Sequence, residues 1–309
     1  MSELASPPVG LPPVTVPPGR VGWARPDAVR LGWGGDRPAP APPARVGVKR
    51  RLQRVIQRWH HTLFDRGLPT KLGLYFHGLD SEHYPAFTSA ITCLKGLGYR
   101  IAHDIDDYLT DPDEQTAWIS FDDNYASWYE ARALFDALDI RATFYTNTAI
   151  FRDRAPLARR RAFFERIEHP GEPRALATDE VRVLRADGHT IGAHTHTHRA
   201  LTQISLEKAK SEIRTSQEIL QEILGEPIRH FAYPYGLRRF FDDRLVEYCQ
   251  QIGIETIARA IPAMQHAPEE PFELHRSGWR FDRDPYENVR DLAVAGHWFE
   301  RVTGRSAVG

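Results

Sequence analysis

Three short polar clusters in the sequence contain residue types that could carry out chemistry. The first covers residues 120–124 (Ser-Phe-Asp-Asp-Asn) and follows an apolar run, Ala-Trp-Ile. Consecutive residues that leave a strand point in different directions, so one carboxylate can hold a metal ion while its neighbour faces a water molecule. Acidic residues and asparagine at a strand end are also common in ordinary turns, so this cluster alone indicates little.

The second cluster contains His194, His196 and His198, directly after the run Thr-Ile-Gly-Ala. Neutral imidazole is a good ligand for divalent transition metals, and closely spaced histidines can supply several ligands from one segment. The chain's 14 histidines give about 0.6 pairs at i, i+4 spacing by chance, so that spacing alone decides nothing. Three histidines within five residues are much less expected. All three need not bind a metal. Alternation along a strand would select one set of ligands among them, and an i, i+4 pair on a turn would select another.

The third cluster covers residues 231–236 (Phe-Ala-Tyr-Pro-Tyr-Gly). Pro234 restricts the turn, and Gly236 would let the backbone approach a ligand closely, so that a free amide could donate to a developing oxyanion. By itself the segment is only an aromatic turn. Together, the three clusters could supply a metal ion, a carboxylate base and an oxyanion donor, which are the requirements for metal-assisted hydrolysis of an acyl group.

The elements that must position these clusters are predicted from the alternation of short apolar runs with helical segments, which is typical of βα units and a mostly parallel sheet. The predicted strands cover residues 72–76, 117–121, 142–145, 190–193, 229–233 and 254–257. The predicted helices cover residues 85–97, 127–138, 179–186, 206–224 and 240–252. Ser205 can cap the fourth helix and Gly225 can end it. No element is predicted for residues 151–177, the least periodic part of this region. Because the carboxyl ends of parallel strands lie at one face, the three clusters should meet there.

The first 67 residues differ in composition from the rest of the chain. Eleven of the 23 prolines precede residue 45, so residues 1–45 are expected to form an extended, disordered tail. Residues 46–67 are predicted to form a basic amphipathic helix. This helix could touch an anionic membrane surface through residues 48–64, or pack its apolar stripe against the following domain. Residues 68–304 would then be one catalytic domain of barrel size.

The composition excludes several classes of protein. With 40 Lys and Arg against 41 Asp and Glu, the chain has no surplus of cations for binding nucleic acid. Its two cysteines, Cys93 and Cys249, form no CxxC motif, so a metal site must use histidine and carboxylate ligands. Neither a signal peptide nor a stretch of ~18 apolar residues for a membrane span is seen. We therefore expect a cytoplasmic protein, peripheral at the inner membrane face if the basic helix binds there.

In these clusters the sequence resembles the polysaccharide deacetylases, the carbohydrate esterases with a NodB-homology domain. The family pattern Thr-Phe-Asp-Asp-Gly is similar to residues 120–124, its His-Thr-x-x-His motif to residues 194–198, and its Arg-x-Pro-Tyr turn to residues 232–235. The resemblance covers residues 70–260 well and residues 270–304 loosely, and its start is similar to bacterial exopolysaccharide-type members. It implies an α/β fold, a distorted and incomplete TIM-like barrel with a groove at the C-terminal strand ends.

The resemblance also implies a role for each matching residue. Asp123, His194 and His198 would bind one divalent cation, with zinc as the expected metal. Asp122 would be the general base that activates water, and the backbone amide of Tyr235 would stabilise the oxyanion. The reaction would release acetate from an N-acetylated glycan and leave a free amine.

The sequence also departs from the family pattern. Asn124 replaces a glycine, which is tolerable because asparagine adopts left-handed backbone conformations readily. Ala232 replaces the arginine that normally steadies the base, and Arg276 is the candidate substitute. Trp279 could form a wall of the groove.

The family's general acid, a histidine, has no clean counterpart. His77, at the end of the first predicted strand, is one candidate, because strand ends converge on the site. His297, within a predicted helix, is the other. Either residue could instead be a packed core histidine.

Three functions remain open at this point. The first is a metal-dependent deacetylase of an N-acetylated sugar, which in the cytoplasm would meet lipid-linked or nucleotide-linked precursors. The second is a catalytically silent carbohydrate-binding module, because the family arginine is absent and the acid is not identified. The third is a hydrolase of a cyclic, non-sugar amide, for which the same metal chemistry would be suitable.

Overall fold

A computed structural model of the chain describes residues 69–169, 172, 174–240, 242–260 and 272–294. The tail predicted over residues 1–45, the basic helix predicted over residues 46–67 and the candidate acid His297 lie outside these residues. Strands and helices alternate along the described chain, as the sequence pattern predicts. The fold is therefore built from one sheet and the helices that connect its strands.

The strands of the described chain form one sheet in which every pair is parallel. They are β1 (Lys71–Phe76), β2 (Arg100–Ile101), β3 (Thr116–Asp123), β4 (Thr143–Thr146), β5 (Thr190–Ala193), β6 (His230–Ala232), β7 (Thr256–Arg259), β8 (Glu273–His275) and β9 (Ser277–Gly278). Their order is β8-β7-β6-β5-β4-β3-β1-β9, and β2 pairs with the start of β3. Because all pairs are parallel, the carboxyl ends of the strands lie at one face.

Residues 273–278 close this sheet into a barrel. β8 pairs with β7, and β9, which begins just after Arg276, pairs with β1. Between these two strands, the backbone N–H of Arg276 donates to the carbonyl oxygen of Arg259 at 2.8 Å. One short segment thus joins the two edges of the sheet into a nearly closed barrel, which confirms the predicted distorted, incomplete TIM-like (β/α) barrel.

Most of the α-helices pack on the outside of the barrel. In the described chain the helices are α1 (Tyr84–Gly96), α2 (Ile105–Thr110), α3 (Ser127–Glu130), α4 (Arg132–Leu138), α5 (Leu157–Arg166), α6 (Thr178–Ala186), α7 (Leu206–Leu224), α8 (Asp243–Gln251) and α9 (Pro285–Val294). One of them, α2, instead contributes Ile105 and Tyr108 to the cluster that fills the barrel interior. Within this part of the chain, no helix has both the length and the apolar composition that a membrane span requires.

Alternate positions along the strands build two separate cores. One buried cluster fills the barrel interior and includes Trp118, Tyr145, Ala232, Ala258 and Leu274. The intervening strand residues pack between the sheet and the helices; they include Ile119, Phe121, Phe144, Phe231 and Ile257. Burial of each large apolar side chain contributes about 1.5–3 kcal/mol, so the inner and outer cores together hold the strand ends in place.

The predicted strands are confirmed, each with bounds within two residues. α7 has the predicted bounds: the Ser205 hydroxyl accepts from the backbone N–H of Lys208 at 3.4 Å, and Gly225 ends the helix with φ of 71°. The single helix predicted over residues 127–138 is wrong, because Ala131, with ψ of 2°, separates α3 from α4. The helix predicted over residues 240–252 begins later, at Asp243.

Residues 151–177 contain a helix that the sequence pattern does not predict. In α5 only Phe163 and Phe164 are buried, and three consecutive arginines precede them in the helix. Two adjacent buried residues give no i, i+3, i+4 stripe, so the periodicity on which a helix prediction depends is missing.

His189 makes the stability of this fold depend on pH. Its ring is buried against Phe135 and Phe144, and its Nδ1 atom accepts from the backbone N–H of Ala142 at 3.0 Å. Burial lowers its pKa from 6.5 to about 4. Between these values the unfolded chain binds more protons than the folded one, so the free energy of unfolding should fall as the pH is lowered from 6.5 to 4.

We predict that His189→Asn, which can keep an acceptor for Ala142, makes this loss of stability shallower by up to about 1.4 kcal/mol per pH unit. Urea unfolding of the metal-free protein at a series of pH values measures the slope. His103, which is exposed, is the matched control, and His103→Asn should leave the slope as in the unchanged protein. Equal slopes for His189→Asn and the unchanged protein would contradict the prediction.

Candidate active site

Asp122 and Asp123 end β3 at the carboxyl face of the barrel, and both side chains are buried. Asp122 continues the inward-facing series of Trp118 and Ser120 along the strand. Asp123 has φ of 84°, in the left-handed region that non-glycine residues rarely adopt. Asn124, which could tolerate such a backbone, is not among the left-handed residues of the described chain.

The side chain of Asn124 instead connects two loops. Its Nδ2 atom donates to the carbonyl oxygen of Asn147, and its Oδ1 atom accepts from the backbone N–H of Leu176, both at 2.8 Å. An asparagine at this position therefore supplies hydrogen bonds that the glycine of the family pattern cannot make.

Arg276 forms a bidentate ion pair with Asp122 inside the barrel. Its Nη1 atom donates to Asp122 Oδ1 at 2.7 Å and to Ser120 Oγ at 2.9 Å, and its Nη2 atom donates to Asp122 Oδ2 at 2.9 Å. The rings of Tyr75 and Tyr145 flank the guanidinium, with centroids 5.3 and 4.9 Å from its central carbon. Gly73 lets the backbone that carries Arg276 approach β1, because a Cβ there would lie 2.4 Å from the carbonyl oxygen of His275 and 3.3 Å from Arg276 Cγ.

This pair sets the charge of Asp122. Burial alone would raise the pKa of its carboxyl, but the positive charge and hydrogen bonds of Arg276 outweigh burial and hold the pKa below its ordinary value. The carboxylate is consequently ionised at neutral pH and held in one orientation. A proton acceptor at this position is available throughout the physiological pH range.

Asp123, His194 and His198 form the other half of the site. Asp123 Oδ1 lies 3.7 Å from His194 Nε2 and 3.2 Å from His198 Nε2, and one ligand atom of each residue lies within 4.8 Å of the other two. Burial lowers the pKa of each histidine to about 4, so both rings are neutral at pH 7. Neutral imidazole is the form that binds a metal.

The hydrogen bonds of these residues show that they fit a divalent cation. His194 Nδ1 lies 2.7 Å from the carbonyl oxygen of Ala232. Since a carbonyl only accepts, the ring proton is on Nδ1, and Nε2 faces Asp123 as an unprotonated lone pair. Asp123 Oδ1 is buried and accepts no hydrogen bond from any described residue. Electron-rich atoms that converge in a buried site are unfavourable without a cation between them.

His196 lies apart from this cluster. Its Nδ1 atom is 2.9 Å from Thr148 Oγ1. The chain turns through left-handed residues at Thr195 (φ 66°) and His198 (φ 56°), which brings the i, i+4 pair of histidines together. A turn, not strand alternation, therefore determines which two histidines face Asp123.

Tyr235 follows β6 and lies beside the histidines. Its ring centroid is 5.0 Å from that of His198, and 45% of the residue is exposed. Its backbone is also left-handed (φ 66°), and no described residue accepts a hydrogen bond from its N–H. Gly236 is required for a contact within the chain, because a Cβ there would overlap Ala260.

Two further residues of the sequence prediction lie in the described chain. His77 is exposed just after β1, and its charge affects the pKa of Asp122, His194 and His198, so it lies in the field of the site. Trp279 is only 8% exposed and packs near Phe76, with ring centroids 6.4 Å apart. Most of the Trp279 surface therefore lies in the core and not in a groove.

The sequence patterns do not identify the residues that hold the histidine loop. Asn147 donates from Nδ2 to the carbonyl oxygens of His194 and Thr195, and Glu212 on α7 accepts two hydrogen bonds from Thr197. Of these two residues, only Glu212 could have been noticed in the sequence. It falls on the buried stripe of α7, one residue before Ile213, where a charge is unexpected.

We predict that Arg276→Met lowers the free energy of unfolding by about 3–5 kcal/mol, because it leaves a buried carboxylate without its partner. The double variant Arg276→Met/Asp122→Asn should recover most of the loss, since no buried charge then remains unpaired. Urea denaturation of both variants measures the difference.

The exposed pair of Arg280 and Asp282, at 2.7 Å, supplies a matched control for this measurement. Arg280→Met should cost no more than about 1 kcal/mol, because water screens an exposed pair. If Arg276→Met lowered the free energy of unfolding no more than Arg280→Met does, the prediction that the buried carboxylate needs its partner would be wrong.

Comparisons with known proteins agree with this geometry. Residues 110–257, which include Asp122, Asp123, both histidines of the cluster and Tyr235, match the family "Polysaccharide deacetylase". The chain is 24% identical over 185 residues to an uncharacterized 30.6 kDa protein of Geobacillus stearothermophilus. That match covers 59% of this chain and 57% of the relative, so the chain spans little more than half of the relative's length.

Solved structures with the same fold include the deacetylase PplD of Streptococcus pyogenes in complex with acetate (TM-score 0.57, 17% identity, 74% of this chain and 99% of that one). A polysaccharide deacetylase of Bacillus cereus has a TM-score of 0.55 and 18% identity, over 72% of this chain and 68% of that one. A de-N-acetylase of Aggregatibacter actinomycetemcomitans has a TM-score of 0.55 and 16% identity, over 72% of this chain and 99% of that one. At these identities the likeness is one of fold. The family match over the segment that holds the aspartates and histidines, on this barrel, identifies residues 110–257 as a polysaccharide deacetylase domain.

Proposed function

We propose that this chain is a metal-dependent hydrolase that removes N-acetyl groups from an amino-sugar glycan or a lipid-linked or nucleotide-linked glycan precursor. The main support is the buried cluster of one carboxylate and two neutral histidines beside a second, ionised aspartate. Two proteins of the same fold are named polysaccharide deacetylase and de-N-acetylase, which supports an acetylated glycan as the substrate.

Asp123 Oδ1, His194 Nε2 and His198 Nε2 would hold the cation, for which zinc is the proposed identity. Two imidazoles and one carboxylate are a usual donor set of catalytic zinc sites, which keep a further position open for water or substrate. When bound, such a cation supplies Lewis acidity, which polarises a carbonyl and makes water more acidic. The hydrogen bond from His194 Nδ1–H to Ala232 fixes the orientation of that ligand.

Asp122 would accept the proton of the attacking water. Arg276 keeps this carboxylate ionised and oriented, but it also makes the carboxylate a weaker base. A weak base is sufficient where a bound cation makes the water more acidic. The base, Asp122, therefore has to lie next to the cation cluster, and Asp122 and Asp123 are consecutive residues. As the new C–O bond forms, the carbonyl oxygen gains charge, and the N–H of Tyr235 would donate to it.

His77 would supply the proton that the leaving amine needs. When the C–N bond breaks, the nitrogen must be protonated to leave as an amine, and acetate is the other product. Among the two candidates, His77 is the one in the described chain, exposed at the carboxyl face and in the field of the site.

The alternatives have less support. Arg276 supplies the charge that Ala232 lacks, which removes one of the two reasons to expect a catalytically silent carbohydrate-binding module. Hydrolysis of a non-sugar, cyclic amide would use the same residues. A panel that compares N-acetylated oligosaccharides with cyclic amides and imides separates it from the proposed activity.

We predict that His198→Ala loses both bound metal and acetate release, because it removes a ligand. Asp122→Asn should keep the metal but lower kcat by about 10²–10⁴-fold, because only the proton acceptor is lost. Metal content by mass spectrometry and acetate release from N-acetylated oligosaccharides check both. His196→Ala, in the same loop but outside the cluster, is the control and should retain both properties; full activity of His198→Ala would refute the proposed function.

A separate prediction concerns the acid. His77→Asn should lower kcat, leave metal content unchanged and remove one limb of the bell-shaped dependence of kcat on pH, because that limb reports the proton donor. A pH–rate profile of the folded variant measures it, with exposed His103→Asn as the control. An unchanged profile would exclude His77 as the acid.

A further inference from the structure

The loop that carries both histidine ligands has an unusual backbone. Thr195 and His198 both lie in the left-handed region, with φ of 66° and 56°. Threonine is β-branched, and such residues avoid this region strongly. A backbone of this kind persists only where surrounding groups over-determine it, and such strain clusters at functional sites.

Glu212 on α7 holds this loop from outside it, together with Asn147, which donates to the carbonyl oxygens of His194 and Thr195. The Oε2 atom of Glu212 accepts from the backbone N–H of Thr197 at 2.7 Å, and its Oε1 atom accepts from the Thr197 hydroxyl at 2.6 Å. Its backbone carbonyl accepts from the N–H of His196 at 3.0 Å. His196 and Thr197, which lie between the two ligands, are thus attached to α7 by three hydrogen bonds, two of them to a carboxylate.

Stability of the core does not explain why this residue is charged. Glu212 is 8% exposed, lies on the buried stripe of α7 and forms no ion pair with any described residue. The charge of Arg166 acts on it only from beyond ion-pair distance. A carboxylate buried without an ion pair is costly, and an apolar residue would fit such a stripe better. The hydrogen bonds to Thr197 are the evident compensation.

Thr197 is held on its other side as well. Arg166 Nη2 donates to the Thr197 carbonyl oxygen at 2.6 Å, so every polar group of Thr197 is bonded. The Thr195 hydroxyl accepts from the backbone N–H of His198 at 3.1 Å, which fixes the second ligand within the loop. Among these partners, only Glu212 binds both donors of Thr197, its backbone N–H and its hydroxyl, and it does so from a helix outside the loop.

We propose that Glu212 is a positioning residue for the metal site: by clamping Thr197 to α7 it fixes the left-handed loop in which His194 and His198 both point at Asp123. The inference rests on the proposed function, because it assumes that these three residues bind a metal. Without the clamp, the loop would relax toward ordinary backbone angles, and the two imidazoles would no longer converge.

Glu212→Met tests this directly, since it keeps the length and apolar stem of the side chain and removes both acceptors. The readout is the Kd for Zn²⁺, from competition with a chromophoric chelator, together with the unfolding of the full, metal-free chain in urea. We expect Zn²⁺ to bind about 10–100-fold more weakly to Glu212→Met, the range seen when an outer partner of a metal ligand is removed. Glu212→Gln should lose less, because an amide can accept from the Thr197 N–H and donate to its hydroxyl.

Two further variants keep the test decisive if Glu212→Met does not fold. Thr197→Val removes the hydroxyl donor from the other side of the clamp and should weaken Zn²⁺ in the same direction, by a smaller factor. Glu218→Met, an exposed glutamate on the same helix, is the matched control and should bind Zn²⁺ like the unchanged protein. In the double variant Glu212→Met/Thr197→Val the losses should not add, because both changes remove the same contact.

The outcomes separate this inference from the proposed function. If folded Glu212→Met and Thr197→Val bind Zn²⁺ with unchanged affinity and differ only in stability, Glu212 is structural and the inference is wrong. If the unchanged protein binds Zn²⁺ but releases no acetate, the proposed function fails while the affinities still decide the role of Glu212. If the unchanged protein binds no Zn²⁺, both are refuted.

Discussion

The ion pair between Asp122 and Arg276 connects the closure of the barrel to the chemistry of its site. Asp122 is at the end of β3, and Arg276 lies between β8 and β9, where one segment joins the two edges of the sheet. Taking both charges out of water costs about as much as their attraction returns, so stability alone does not favour a buried pair. The pair holds an ionised carboxylate in one orientation beside the metal-ligand cluster, and the closed barrel is what keeps Arg276 in reach of it.

The two neighbouring aspartates receive opposite surroundings from the same strand end. Asp122 faces inward to a guanidinium, and Asp123 is turned by its left-handed backbone toward two neutral imidazoles. Strained residues recur around the cluster, at Asp123, Thr195, His198 and Tyr235. Each such residue costs of order 1–3 kcal/mol, which must be offset by the cores and by hydrogen bonds such as those of Glu212. The site therefore depends on the rigidity of the barrel, because a looser framework would let these segments relax.

Six of the nine described strands, and α7, could be predicted from the sequence because their signals are local: apolar runs, a capping serine and a terminal glycine. The site could be predicted in part, because the aspartates and histidines are adjacent within short motifs. α5 could not, since its buried residues are two consecutive phenylalanines after a run of arginines. β8 and β9 are too short to show a pattern, although together they close the sheet. The left-handed backbone of Asp123 could not be predicted, because propensity ranks residue types and does not include the ligands that a side chain must face.

The position of Arg276 shows why a motif can lose a residue without the site losing its charge. In the family pattern the arginine stands where this chain has Ala232, on β6. Ala232 and Leu274 of β8 belong to the same inner cluster as Trp118 of β3, so side chains from strands far apart in the sheet meet inside the barrel. A guanidinium can therefore reach Asp122 from more than one strand, provided that its backbone comes close enough, as Gly73 allows here by leaving room for the carbonyl oxygen of His275. Residues 122 and 276 are 154 positions apart, a relation that closure of the barrel creates and that no linear motif can express.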